Sequence, residues 1–138
     1  MTGIFESHAH YEDEAFDEDR DVLLKSLPEN GIKYVVDVGS SVDTCHKIIE
    51  LIPKWDYMYG ALGIHPEEIR TVTDEDMEWL RKEAAANGKI VAIGEIGLDY
   101  YWDKDNKAQQ KEFFERQLVL AKELKKPVIV HSREAALD

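Results

Sequence analysis

Four side chains able to bind a metal stand at the ends of short apolar runs. They are His8 and His10 in Phe5-Glu6-Ser7-His8-Ala9-His10, Glu95 in Gly94-Glu95-Ile96-Gly97, and His131 in Val128-Ile129-Val130-His131. In a strand, side chains alternate with period two, so His8 and His10 lie on one face. A rigid strand holding two imidazoles toward one ion leaves little side-chain freedom to be lost. Glu95 follows the buried run Ile90–Ile93, where a carboxylate is costly unless paired or metal-bound. A carboxylate can also bridge two cations. A lone strand histidine is more often structural, but three imidazoles and a carboxylate at corresponding strand ends point to a hydrolytic divalent-metal centre.

Other groups belong to the same rim if the strands are parallel. His65, in Gly63-Ile64-His65-Pro66, ends a third apolar run and is a candidate for substrate binding or proton donation. Asp99 and Tyr100 follow Glu95 and are candidates for supporting the ligands or touching substrate. Arg133, two residues beyond His131, is either an anchor for an anionic substrate or a surface cation. Asp37, inside a strand, reads as a structural polar partner. His46 lies mid-helix and takes no role.

The elements that must position these groups alternate regularly. Five apolar runs read as strands: Gly3–His8, Lys33–Val38, Tyr57–Ile64, Lys89–Glu95 and Pro127–His131. Several are nearly continuous β-branched stretches, as in strands buried on both faces of a parallel sheet. Helical patterns separate them. Val22, Leu23, Leu24 and Leu27 mark the first, ended by Pro28 and Gly31. Val42, Cys45, Ile49 and Ile52 mark the second, with Ser40 or Ser41 as N-cap. Met77, Leu80 and Ala84 mark the third, capped by Thr73 and stopped at Gly88. The fourth, about Gln109 to Lys125, carries a stripe of Phe113, Phe114, Leu118, Ala121 and Leu124. The order β-α-β-α-β-α-β-α-β means a parallel sheet with covering helices in one domain, residues 1–138.

Composition narrows the function classes. The chain has 138 residues and a formal net charge of −12, which argues against a general nucleic-acid-coating protein. It does not exclude nucleic acid as a substrate, because bound cations supply local positive charge. Much of the acidity lies between Glu12 and Asp21 and reads as a solvated loop and helix start. The single cysteine, Cys45, sits on the apolar face of the second helix, as a small buried hydrophobe rather than a nucleophile. One cysteine and no disulfide fit a reducing compartment. Met1-Thr2-Gly3-Ile4 carries no leader pattern, and no apolar run approaches membrane-spanning length. A cytoplasmic location without membrane partners is expected.

Ser7-His8-Ala9-His10, Gly63-Ile64-His65-Pro66, Gly94-Glu95-Ile96-Gly97-Leu98-Asp99-Tyr100-Tyr101 and Pro127-Val128-Ile129-Val130-His131-Ser132-Arg133 together resemble the TatD family of metal-dependent hydrolases. The resemblance covers essentially the whole chain. It implies an α/β fold, a parallel (β/α) barrel of the TIM or amidohydrolase type, here about five of its strands. It implies two divalent metal ions, with His8 and His10 on the first, Glu95 bridging, and His131 on the second. By ligand type alone, three imidazoles favour Zn²⁺, Mn²⁺ or Co²⁺ over Mg²⁺, whereas the family is described as Mg²⁺-dependent. The implied reaction is hydrolysis of DNA phosphodiester bonds by a metal-activated water, with Glu95 and His65 catalytic and His65, Tyr100 and Arg133 contacting substrate. A deacylase acting on D-aminoacyl-tRNA is the alternative within the family.

The family pattern continues with a further His and a further Asp in later strands, so the 138 residues resemble its N-terminal part. The chain by itself is therefore expected to cleave DNA weakly or not at all, and an inactive metal-binding fragment is the alternative from another class. Its open barrel edge is expected to favour self-association.

Overall fold

A computed structural model describes residues 3–138; Met1 and Thr2, part of the stretch read for a leader, lie outside it. Each apolar run forms a strand, and each intervening pattern a helix. The elements are β1 (Ile4–Ala9), α1 (Arg20–Ser26), β2 (Ile32–Val38), α2 (Val42–Leu51), β3 (Met58–Leu62), α3 (Asp74–Ala86), β4 (Ile90–Asp99), α4 (Lys107–Leu124) and β5 (Val128–Arg133). Short 3-10 turns lie at Glu14–Phe16, Pro28–Asn30, Ile52–Lys54 and Pro66–Thr71.

All five strands are parallel and lie in sequence order. The main core joins Val35, Met58, Leu62, Ile90 and Ile93 of the sheet to Leu24, Ile48, Leu80 and Phe113 of the helices. The alternate positions Val36, Val38, Ala61 and Ala92 form a second cluster made of strand residues only. The helices thus cover one face. A doubly wound sheet would reverse its strand order at a switch point; an unreversed order with helices on one side is the beginning of a barrel.

Local chemistry sets most element ends. Ser41 accepts a hydrogen bond from the Thr44 amide at the start of α2, and the Thr44 side chain returns one to Ser41. Thr73 and Asp76 close the same reciprocal box on α3. Gly31, at φ +87°, ends the turn after α1 in the left-handed region. Asn87, rather than the expected Gly88, caps the end of α3.

Two expectations change. Glu95 and His131 are not at strand ends, since β4 runs on to Asp99 and β5 to Arg133. Two stretches that carry candidate ligands, in β1 and β4, also contain a register shift. Glu6 and Ala9 of β1 face Val35 and Asp37 of β2, three steps against two, and Ile93 and Ile96 of β4 face Val128 and Val130 of β5 in the same ratio. Each shift inserts one extra residue, at Ser7–His8 and at Gly94–Glu95. Such bulges bend a strand and re-aim its side chains.

The apolar face of α4 also differs from its expected stripe. Leu118 is exposed, while Gln110 and Gln117 are buried beside Phe113, Leu120 and Ala121. Gln110 and Gln117 are two helical turns apart and face the same way. Gln117 Oε1 accepts the Ile64 amide at 2.7 Å, and its Nε2 donates to the Ile64 carbonyl at 3.1 Å. Gln110 does the same for Asp99, at 2.8 and 2.9 Å. One helix thereby grips the backbone just before His65 and at the end of β4.

Candidate metal centre

The bulge in β4 turns Glu95 toward both histidine-bearing strands. Its Oε2 lies 3.4 Å from His8 Nε2, and its Oε1 lies 3.4 Å from His131 Nδ1. The Glu95 amide donates to the carbonyl of Gly39, beyond the end of β2, at 2.7 Å. Gly94 permits the approach of β5, because a Cβ there would stand 2.6 Å from Ile129 Cβ. Gly97 has φ +147°, and a Cβ on it would run into the His131 carbonyl. The glycines flanking Glu95 are therefore required by contact with β5.

His8, His10 and Glu95 each offer one ligand atom, all within 4.8 Å of one another. His10 Nδ1 donates to the Val38 carbonyl at 2.8 Å, which leaves Nε2 as its free donor atom. A neighbouring Glu12 carboxylate, at 3.6 Å, holds His10 up to about 9 against the opposing effect of burial. This trio fits a borderline divalent cation, since two imidazoles and a carboxylate are the usual nitrogen and oxygen donors of such ions.

On the other side of Glu95, His131 Nε2 lies 2.8 Å from Asp99 Oδ2. Its Nε2–H donates there, so Nδ1 is the atom free to bind a metal near Glu95. Burial pushes the Asp99 carboxyl up, but hydrogen bonds from His131 and from the amides of Trp102 and Tyr101 outweigh it, and the net shift is downward. A carboxylate on the remote nitrogen of a histidine fixes ring and tautomer for metal binding. His65, Asp99 and His131 form a second compact group. The His65 and His131 rings are 4.2 Å apart.

His65 is buried, and its Nδ1 accepts the Glu67 amide at 3.1 Å. Burial and the nearby His131 lower its pKa. The ring is thus neutral with its proton on Nε2, a hydrogen-bond donor rather than a base. Arg133 is exposed at the rim. Tyr100 does not join the cluster. Its ring packs with Leu98, Phe114 and Ala135, and its hydroxyl donates to Asp138 Oδ2 at 2.9 Å. The next two residues, Tyr101 and Trp102, are the exposed ones.

Behind His10 lies a pair absent from the sequence-level reading of the site. Asp37 and Glu12 are buried, and Asp37 Oδ2 and Glu12 Oε2 have no hydrogen-bond partner among the described residues. Burial and then the Glu12 charge raise the Asp37 carboxyl to about 8. One proton shared between the two would satisfy both orphaned oxygens. The sequence signal was there, since Asp37 interrupts an otherwise apolar strand. Its partner was hidden in an acidic run.

Among the described residues, no helix is long and apolar enough to cross a membrane. The chain is 41% identical over 135 residues to the metal-dependent hydrolase YabD of Bacillus subtilis, covering 98% of this chain and 52% of that protein. It is 33% identical over 120 residues to the 3'-5' ssDNA/RNA exonuclease TatD of Cronobacter sakazakii, covering 87% and 45%. The crystal structure of YjjV, a TatD homologue from Escherichia coli, superposes with a TM-score of 0.86 at 29% identity, over 95% of this chain and 51% of that one. A TatD family hydrolase from Entamoeba histolytica superposes with a TM-score of 0.90 over 99% and 52%; at 24% identity it supports the barrel fold alone. The chain spans about half the length of the curated relatives it matches. The family described as TatD related DNase matches residues 5–138, and this chain belongs to the TatD family of metal-dependent hydrolases.

Proposed function

We propose that these residues form the N-terminal part of a two-metal centre that hydrolyses phosphodiester bonds in nucleic acid. The observation that carries this reading is the divided carboxylate of Glu95, with one oxygen 3.4 Å from His8 and the other 3.4 Å from His131. His8, His10 and Glu95 would hold one divalent ion, Mg²⁺, Mn²⁺ or Zn²⁺, and Glu95 with His131 would hold a second. When bound, such a pair supplies Lewis acidity and a water of lowered pKa.

The protein's own groups do the positioning. Val38 and Asp99 fix the ring orientations of His10 and His131. His65 offers its Nε2–H to a phosphoryl oxygen. Arg133 holds a phosphate beside the centre, as a guanidinium does well. The relative carrying the name 3'-5' ssDNA/RNA exonuclease favours single-stranded nucleic acid as substrate.

The test is cleavage of an end-labelled single-stranded oligonucleotide with added Mn²⁺ or Mg²⁺, in this chain and in the chain extended to the length of its relatives. Cleavage that EDTA abolishes and Glu95→Gln removes supports the reading. Hydrolysis of an aminoacyl ester with no oligonucleotide cleavage sinks it.

A further inference from the structure

Beside the centre, one exposed cation lies on two exposed rings. Trp102 is 63% exposed and Tyr101 44%. Their rings meet edge to face, with centroids 4.6 Å apart. The Arg133 guanidinium carbon lies 3.9 Å from the Tyr101 centroid and 5.5 Å from that of Trp102. Arg20, Arg70, Arg81 and Arg116 are each ion-paired, but Arg133 forms no ion pair among the described residues. In a chain of net charge −12, a rim arginine left to aromatic rings is free to meet an anion.

Asp99 connects this group to the metal ligands. Its Oδ1 accepts the amides of Tyr101 and Trp102 at 3.0 and 3.1 Å, and its Oδ2 takes His131. Arg133 is the register partner of Asp99 across β4 and β5. A single buried carboxylate therefore sets both a metal ligand and the turn that presents the rings.

We infer that Tyr101, Trp102 and Arg133 form a nucleotide subsite, with a base stacked on Trp102 and its phosphate held by Arg133. The inference rests on the nucleic-acid reading above and adds to it the residues that hold the strand. Every base has a π-face, so stacking gives sequence-tolerant binding of single strands. A paired base inside a duplex offers no free face, so the subsite selects single-stranded ends.

The test uses the purified chain in EDTA, so that binding is measured without turnover. Fluorescein-labelled octathymidylate and an abasic octamer of the same charge are titrated by anisotropy. Trp102→Ala should weaken octathymidylate binding about 5- to 150-fold, the range for losing one stacked base. Trp102→Phe should restore most of it, and abasic binding should hardly change. Arg133→Ala should weaken both oligomers and lessen the salt dependence. Unchanged binding in Trp102→Ala, equal losses for both oligomers, no rescue by Phe, or no binding of octathymidylate by the parent chain would each overturn the subsite. The nuclease reading is judged separately, by metal-dependent cleavage. Binding that depends on Trp102, with no cleavage even by the chain extended to the length of its relatives, would leave the subsite standing and remove the nuclease.

Discussion

Gln117 holds both backbone groups of Ile64 from a position 53 residues later in the chain, at 2.7 and 3.1 Å. The pair is buried, and Ile64 immediately precedes His65. A helix side chain thus completes hydrogen bonds that the short strand β3 leaves open, and fixes where His65 begins. Gln117→Leu keeps the volume and removes both partners. An unsatisfied buried group costs about 1–3 kcal/mol. We expect a loss of about 2–4 kcal/mol in urea unfolding. A loss below about 0.5 kcal/mol would show that the Ile64 groups find other partners.

Gly97 makes a second demand on the backbone. At φ +147° with no space toward His131, it admits no side chain. Gly97→Ala should destabilise by more than about 2 kcal/mol, or prevent folding. Gly88→Ala is the control, because nothing lies within 4 Å of a Cβ there. Equal melting temperatures for the two variants would contradict the close approach of β4 and β5.

The pair of Asp37 and Glu12 predicts a pH dependence. The folded pKa of Asp37, about 8, lies above its ordinary value of 3.8. Between those values the unfolded chain releases a proton that the folded chain keeps. The contribution of Asp37 is therefore fully present below pH 3.8 and declines until pH passes about 8. In Asp37→Asn the amide can donate to Glu12 without titrating. Its stability relative to the parent should rise with pH across this window, by at most about 1.4 kcal/mol per unit. Denaturant unfolding at pH 5 and pH 8 measures this. Parallel profiles for the two proteins would mean that no proton is shared.

Asp99→Asn tests the orientation of His131. An amide can present its NH₂ to Nε2, which turns the imidazole to the other tautomer and leaves Nδ1 protonated. Loss of such a supporting carboxylate typically costs about 10- to 100-fold in metal affinity. Calorimetric titration with Mn²⁺ or Zn²⁺ should show that loss at one site, while Glu95→Gln should weaken both. An Asp99→Asn protein with unchanged isotherms would remove Asp99 from this role.

The outer edges of β1 and β5 have no strand partner among the described residues. Phe5, 59% exposed, and Val130, 51% exposed, project from them. Unpaired apolar edges recruit other strands. Sedimentation velocity of the 138-residue chain should show association that grows with concentration. A monomer across the micromolar range would show that these edges do not pair.

The strand and helix order was legible in the sequence because its signals are local. β-branched runs such as Tyr34–Val38, and caps such as Ser41 and Thr73, act within a few residues. The candidate ligands were legible for the same reason: the i, i+2 spacing of His8 and His10 along one strand, and a carboxylate, Glu95, directly after an apolar run, are both local patterns. Only the tertiary structure decided how those groups meet. Register shifts at Ser7–His8 and Gly94–Glu95 depend on neighbouring strands, so no periodicity within one strand reveals that Glu95 divides its oxygens between His8 and His131. The buried glutamines of α4, the Asp37–Glu12 pair and the packing of Tyr100 against Ala135 and Asp138 share that origin. Each joins residues distant in sequence, and a polar side chain shows its worth only when the groups it must satisfy are brought beside it.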